Sequence, residues 1–334
     1  MDRADIVHEN FLRRVAAGDL PVGRAPQGPL SPDDARLIFR AACLSRALDR
    51  QARMMSRAGQ GFYTIGSSGH EGMAAVAMAL RAGDMALLHY RDAAFQIARA
   101  LTVPGQDPVG DMLLSFAASS EDPISGGRHK VLGSRALMIP PQTSTIASHL
   151  PKAVGAAYSL GLMRKHRPTH AIMDPESVVM CSFGDASLNH STAQGALNAA
   201  GWAAWQGAPL PLLFVCEDNG IGISTKSPPG WVEAVLRARP GLAYYAADGL
   251  DLYDTYAATK AAVDAIRRSK KPAIVHLRTV RLYGHAGADL PTTYLPRTEV
   301  EADEANDPLL HFVRLLGRAG VMSPDEALAA YHSA

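Results

Sequence analysis

Cysteine, surplus charge and long apolar runs are all scarce in this chain. Of 334 residues only three are cysteines, Cys43, Cys181 and Cys216. None belongs to a C-x-x-C pair and the last two sit inside apolar runs, so they read as buried reduced thiols and not as zinc ligands. Thirty-three basic residues stand against 32 acidic ones, a formal net charge of +1. A nucleic-acid binder normally carries a basic excess on one face, so that class drops out. No run approaches the roughly eighteen apolar residues of a membrane span. The opening "MDRADIVHENFLRR" lacks the apolar stretch of a secretory signal, and the cytoplasm is the expected location. A nicotinamide-binding dehydrogenase would need a G-x-G-x-x-G turn after a strand, with an acid about twenty residues on; none is present. There is no repeat or low-complexity tract.

What is present favours a large α/β domain. Apolar residues make up 47% of the chain, enough for a sizeable core. Residues 1–30 end in the Pro/Gly-rich "GDLPVGRAPQGPLSP" and are expected to form an extended arm, with one domain over 31–334. Ser31-Pro32-Asp33-Asp34 reads as a helix start: a hydroxyl cap, a proline in the first turn, and acids beside the positive end of the dipole. Leu37, Ile38, Ala41, Leu44 and Leu48 recur at helical spacing, and Gly59 is a plausible stop. Further on, "HEGMAAVAMALRAGD" is helical, "MALLHY" a short strand and "RDAAFQIARAL" helical again. The Ala/Gly-rich segment 146–166 suits a buried helix packed on a sheet. The runs "SVVMCSF" (177–183) and "LPLLFVC" (210–216) look buried on both faces, and "PAIVHLRTV" (272–280) is rich in β-branched residues. Helical segments around 188–205 and 251–268 separate them. That order predicts a doubly wound, mainly parallel sheet with helices on both faces. Residues 283–300 read as a long loop, and a short helical tail follows.

Two strands end alike. "MCSFGDAS" brings Asp185, and "FVCEDNGIG" brings Asn219, to the carboxyl ends of neighbouring strands, where open α/β sheets bind ligands. Magnesium takes six oxygens and is usually held by few protein groups plus phosphates. The Asp185 carboxylate, the Asn219 amide oxygen and the Ile221 carbonyl would supply three. Asp and Asn after strands also serve as ordinary turn and cap residues, so the pair alone does not decide the matter.

"GDAS" followed by "EDNGIGIS" resembles the thiamine diphosphate motif, which opens Gly-Asp-Gly and closes Asn-Asn. The chain most resembles the alpha subunit of the decarboxylating component of 2-oxo acid dehydrogenases, of the branched-chain and pyruvate type. "FYTIGSSGHEG", "LLHYRDAAF", "SGGRHKVLG", "STIASHLPKAVGAAYSLG" and "VRLYGHAGADLPTTY" match other segments of that family in order, from about Phe62 to Leu316. The resemblance implies thiamine diphosphate and magnesium as cofactors, with Asp185, Asn219 and Ile221 on the metal. It implies Gly184, Ala186 and Ser187 along the diphosphate, Tyr90 and Arg91 on the phosphates, and His89 at the same wall. Ser144 and Ile146 would lie beneath the cofactor, and His285 over it as the catalytic histidine of acyl transfer. Phe62 and Tyr63 would line the substrate cavity.

The implied reaction is oxidative decarboxylation of a 2-oxo acid, with the acyl group passed to a lipoyl group on an acyltransferase. The "FY" pair and "IAS" lean towards branched-chain substrates, with pyruvate or acetoin enzymes as the alternative. The family's activating glutamate comes from a beta subunit that nothing here matches, so a beta partner, as in a heterotetramer, is expected. The end at Ala334 suits the alpha region of an alpha–beta fusion. Ala186 and Asp218 depart from the motif, and "GWAAWQGAPLP" looks like an insertion. Ala286 and Ala288 replace loop serines, so phosphorylation there is not expected. A reading of another class, a scaffold with a decayed cofactor site, is opposed by the retained Asp185, Asn219, Arg91 and His285.

Overall fold

A computed structural model of the chain describes residues 2–62, 65–142, 145–166, 172–287 and 289–334. In order, the elements are α1 (Arg3–Ala16), α2 (Pro32–Arg57), α3 (Met73–Met78), β1 (Ala86–Leu87), α4 (Ala93–Leu101), α5 (Pro108–Phe116) and α6 (His149–His166). Then follow β2 (Val179–Gly184), α7 (Ser191–Trp205), β3 (Leu212–Asp218), α8 (Trp231–Arg237), β4 (Ala243–Asp248), α9 (Leu252–Ser269) and β5 (Ala273–Arg278), and finally α10 (Arg297–Ala305), α11 (Pro308–Arg318) and α12 (Pro324–Ser333). The strands form one parallel sheet of order β1-β2-β3-β5-β4.

Side-chain alternation sorts this sheet onto two cores. Val178, Met180, Leu213, Val215 and Val275 face α2, α3, α4, α9 and α11. Val179, Cys181, Phe183, Phe214, Cys216 and Ile274 face α6, α7 and α8. Every residue of β2 and β3 before the last is therefore buried. Both faces are covered, as a continuous apolar run in a parallel sheet requires. All three cysteines are free and buried.

The expected start of α2 is present: Ser31 Oγ accepts from the Asp34 amide at 3.1 Å, and Pro32 opens the helix. The expected extended arm is corrected over its first half. Residues 3–16 form α1, capped by Asp2 and burying Ala4, Val7, Phe11 and Val15 at helical spacing. Proline and glycine dominate only the second half of the arm. There the chain is irregular and is fastened to α11 by Arg314 Nη1 on the Arg24 carbonyl and Arg318 Nη1 on the Gly23 carbonyl. The segment 146–166 packs on the sheet along one side only, since Tyr158 and Leu162 stay exposed. Strand β4 adds an unforeseen edge; only Ala247 of it is buried, so it carries no apolar run.

Candidate active site at the carboxyl edge of the sheet

Parallel pairing sets Gly184 opposite Glu217, so Asp185 and the Asp218-Asn219 pair leave the sheet side by side. Asp185 is buried and accepts from Ser227 Oγ, which draws the loop after β3 under the end of β2. Burial lifts its carboxyl to about 6, and the nearby Asp218 adds to the rise. No basic side chain bonds to it among the described residues. A buried carboxylate in need of positive charge, at the same sheet edge as the Asn219 amide oxygen and the Ile221 loop carbonyl, has the hard-oxygen chemistry that suits magnesium. Asn219 is held in place: its Oδ1 accepts from the Ile221 amide at 3.2 Å and its Nδ2 meets His70 Nε2 at 3.0 Å.

The departures from the motif have local explanations. Asp218 turns from the donor set to His276 Nε2, at 2.8 Å, and accepts from the Gly220 amide. Ala186 lies exposed in a short 3₁₀ helix, Asp185–Asn189, and is not among the residues of positive φ. The turn therefore accepts its Cβ, whereas a Cβ on Gly222 would come within 3.2 Å of it. Ser187 is buried in the same turn. Gly184 leaves room for His89, whose Nε2 would lie 3.3 Å from a Cβ there. Part of the suspected insertion, Gly201 to Trp205, simply extends α7.

Beneath this edge lies a dry polar cluster that sequence reasoning recognised only through His89. His70 Nδ1 donates to Glu217 Oε2 at 2.5 Å, and His89 Nδ1 lies 3.3 Å from Glu217 Oε1. Ser182 Oγ donates to Asp92, and both groups receive the His89 amide. Burial lifts Glu217 to about 8 and Asp92 well above the carboxylate range, and it holds His89 down near 4. Among the described residues Asp92 Oδ1, Glu217 Oε1 and His89 Nδ1 have no well-aligned hydrogen-bond partner, and the neighbouring Glu217 adds to the rise of Asp92. Two carboxyl groups that cannot both ionise in so dry a place share their protons. The signal for His70 and Glu217 was present inside "SSGHEG" and "VCEDNG", but a histidine and a glutamate within apolar or glycine-rich text carry no spacing pattern.

Tyr90, Arg91, Ile146 and His285 meet on the other side. Arg91 is buried and donates to the Gly66 carbonyl at 2.6 Å and to the His285 carbonyl at 3.0 Å. Its Nη2 also lies 3.2 Å from His285 Nδ1. Guanidinium has only donors, so Nδ1 accepts and the neutral ring carries its hydrogen on Nε2. Burial, aided by Arg91 and Arg281, pushes His285 down to about 4, in keeping with a neutral imidazole. Tyr90 meets that ring edge-on, with centroids 6.2 Å apart. Ile146 is partly exposed and is followed by Ala147 at φ +62, a left-handed backbone unusual for alanine. A cavity of about 120 Å³ lies between Ile65, Tyr90, His129, Lys130, Gln142, Ile146 and His285. Phe62, expected on the substrate wall, is 78% exposed and is not among the residues around this cavity. Tyr63, Ser144 and Ala288 lie outside the described residues. The most spacious cavity described, about 440 Å³, lies under the arm and touches none of these groups.

Comparison with known proteins places the chain in a family. The profile of the family "Dehydrogenase E1 component" matches residues 39–333. The "2-oxoisovalerate dehydrogenase subunit alpha" of Bacillus subtilis is 28% identical over 306 residues, covering 89% of this chain and 86% of the relative. The mitochondrial subunit of that name from Mus musculus is 24% identical across 83% of the chain, which spans 59% of the mouse protein. The "Pyruvate dehydrogenase E1 component subunit alpha" of Zymomonas mobilis is 34% identical over 143 residues, covering 42% of the chain and 39% of that protein. The chain belongs to the dehydrogenase E1 component family, on the alpha-subunit side of the 2-oxo acid dehydrogenases.

Proposed function

We propose that the chain is the alpha part of a thiamine diphosphate-dependent 2-oxo acid dehydrogenase that decarboxylates a short, preferably branched, 2-oxo acid. The acyl group would go to a lipoyl-bearing acyltransferase. The observation that carries this reading is the buried, cation-deficient Asp185 beside Asn219 and Ile221 at the ends of two paired parallel strands. The names of the relatives supply the substrate class. Asp185, Asn219 and the Ile221 carbonyl would hold magnesium, and through it the diphosphate. When bound, thiamine diphosphate supplies a stabilised carbanion. The protein's own part is to orient and to exclude water. Arg91 fixes His285 with its Nε2–H as a donor, and Tyr90 and Ile146 wall the cavity.

Completion by a beta subunit is part of the proposal. Large apolar side chains stand exposed close in sequence to the site residues: Phe62, Ile146, Ile223 and Leu290. Tyr158 and Leu162 of α6 and Trp202 and Trp205 of the adjoining α7 are exposed as well. Large apolar side chains left in water at this frequency favour a partner surface.

The test is calorimetric titration of thiamine diphosphate with magnesium, with and without a beta subunit, on wild type and Asp185→Ala. Turnover of 2-oxoisovalerate and pyruvate with an artificial electron acceptor is measured in parallel. The expected result is binding that requires magnesium and Asp185, and turnover that requires the partner. Magnesium-independent binding, or binding indifferent to Asp185→Ala, would overturn the assignment of the donor set.

A further inference from the structure

The 120 Å³ cavity has an apolar wall, Ile65, Ile146 and the Tyr90 ring, and a basic one that includes Lys130. Lys130 belongs to neither the Asp185 edge nor the Arg91–His285 pair. The loop that delivers it is tightly held. Asp122 accepts from the amides of Ile124, Ser125 and Gly127, and Ser125 Oγ receives the His129 amide at 3.0 Å. Gly127, at φ +74, lies so close to Ala118 that a Cβ would be 2.3 Å from its carbonyl oxygen. Downstream, the Gly133 amide donates to Gln96 Oε1 at 2.9 Å. Lys130 reaches inward from this frame, donating to the Ile65 carbonyl at 3.3 Å with its ammonium 5.2 Å from the Phe116 ring centre.

We propose that Lys130 receives the carboxylate of the incoming 2-oxo acid, while Ile65, Ile146 and Tyr90 take its aliphatic chain. This deepens the function proposed above and rests on it. A short 2-oxo acid is an anion joined to a small apolar body, which matches a cavity of this size with one ammonium and an apolar wall. The guanidinium nearby, Arg91, donates to the Gly66 and His285 carbonyls and so points along the wall of the cavity. His285, close to neutral imidazole in character, offers a hydrogen bond and no charge. Burial pulls the Lys130 ammonium down to about 8, with Arg91 adding to the fall and Asp49 opposing it.

The chemistry dictates an unusual kinetic split. The bond from the carboxylate carbon to the 2-carbon breaks, its electron pair stays with the 2-carbon, and neutral carbon dioxide departs. An ammonium that pairs with the carboxylate therefore favours the bound ground state over the transition state. Its loss raises KM; kcat stays unchanged to the extent that the pairing persists in the transition state and rises to the extent that it does not.

The experiment uses the chain with its beta partner, thiamine diphosphate and magnesium. It compares wild type, Lys130→Met and Lys130→Arg with 2-oxoisovalerate between pH 6.5 and 9.5. Binding of 2-hydroxyisovalerate, a carboxylate that cannot be decarboxylated, is measured by calorimetry. Asp49 from α2, Arg91 before α4, Tyr90, His129 of the same loop and His285 face this ammonium. Methionine should raise KM about ten- to a hundredfold with kcat preserved, and weaken the 2-hydroxy acid similarly. In wild type KM should climb as pH rises through about 8; arginine, charged throughout, should keep a low KM and abolish that climb. A purely structural lysine would not produce this split or this rescue. Unchanged KM and unchanged 2-hydroxyisovalerate binding in Lys130→Met overturn the proposal. If no 2-oxo acid is turned over yet the 2-hydroxy acid still binds through Lys130, the reaction assigned above fails while the carboxylate site stands.

Discussion

Gly69 shows how a single residue sets the geometry of the site. Its φ is +103, and a Cβ would lie 2.0 Å from the Val280 carbonyl oxygen, with Arg281 N at 3.3 Å. Those contacts are backbone, so no rotamer change relieves them. The next two residues are His70, which holds Asn219, and Glu71, which accepts the Gly69 amide at 2.7 Å. Gly69→Ala should therefore cost roughly 3 kcal/mol, the range of strained-backbone and overpacking substitutions. It should also weaken magnesium-dependent cofactor binding. Urea unfolding and calorimetry check both; a loss below about 0.5 kcal/mol would mean the loop shifts freely. At this scale the sequence told much of the story. Asp185 and Asn219 stood out because each ends an apolar run, and a strand end is where ligands bind. The redirection of Asp218 to His276 could not be read, because it depends on β5 lying beside β3.

Among elements, the contacts hardest to foresee were those made by long-range charge instead of apolar periodicity. Arg46 of α2 donates through Nε to Glu71 at 2.8 Å and through both terminal nitrogens to Asp307 at the start of α11, and all three side chains are buried. This triad pins α2 to the loop that carries His70. Burial lifts Glu71 to about 7, against the pull of Arg46. Arg46→Met would leave two carboxylates in a dry place with no countercharge, a loss of about 3–5 kcal/mol. The pH dependence has a definite sign. A carboxyl whose folded pKa is raised takes up a proton more readily than in the unfolded chain, so its contribution is present at low pH and is lost as pH rises through the folded value. Without Arg46 the Glu71 carboxyl rises further, and the deficit should be larger at pH 8 than at pH 5. Thermal melts at both pH values test this; an equal deficit would place the countercharge elsewhere. The apolar strands β2 and β3 were legible from their runs and α2 from its cap. Helix α1 was not, since the proline and glycine that follow it outweighed four well-spaced apolar residues, and β4 was not, since an edge strand buries too little to show a pattern.

For the molecule as a whole, the two cores explain why the sheet is stable and why one side of it remains incomplete. The face covered by α2, α3, α4, α9 and α11 is sealed further by α1 and α12. Among the described residues the opposite face is covered by α6, α7 and α8, and the outer sides of α6 and α7 present Tyr158, Leu162, Trp202 and Trp205 to water. The three tryptophans of the chain, Trp202, Trp205 and Trp231, are 65%, 77% and 47% exposed. Intrinsic fluorescence of the isolated chain should thus be red-shifted and readily quenched by acrylamide. If the α6–α7 face meets the beta partner, complex formation should shift the emission to shorter wavelength and protect it from the quencher. Trp202→Phe together with Trp205→Phe should remove most of that response while leaving Trp231 as an internal reference. Stability of the isolated chain should change by less than about 0.5 kcal/mol, as for surface substitutions away from special features. A complex that forms with no change in emission or quenching would assign the partner to the carboxyl-edge rim around Ile146 and Ile223 and leave α6 and α7 facing solvent.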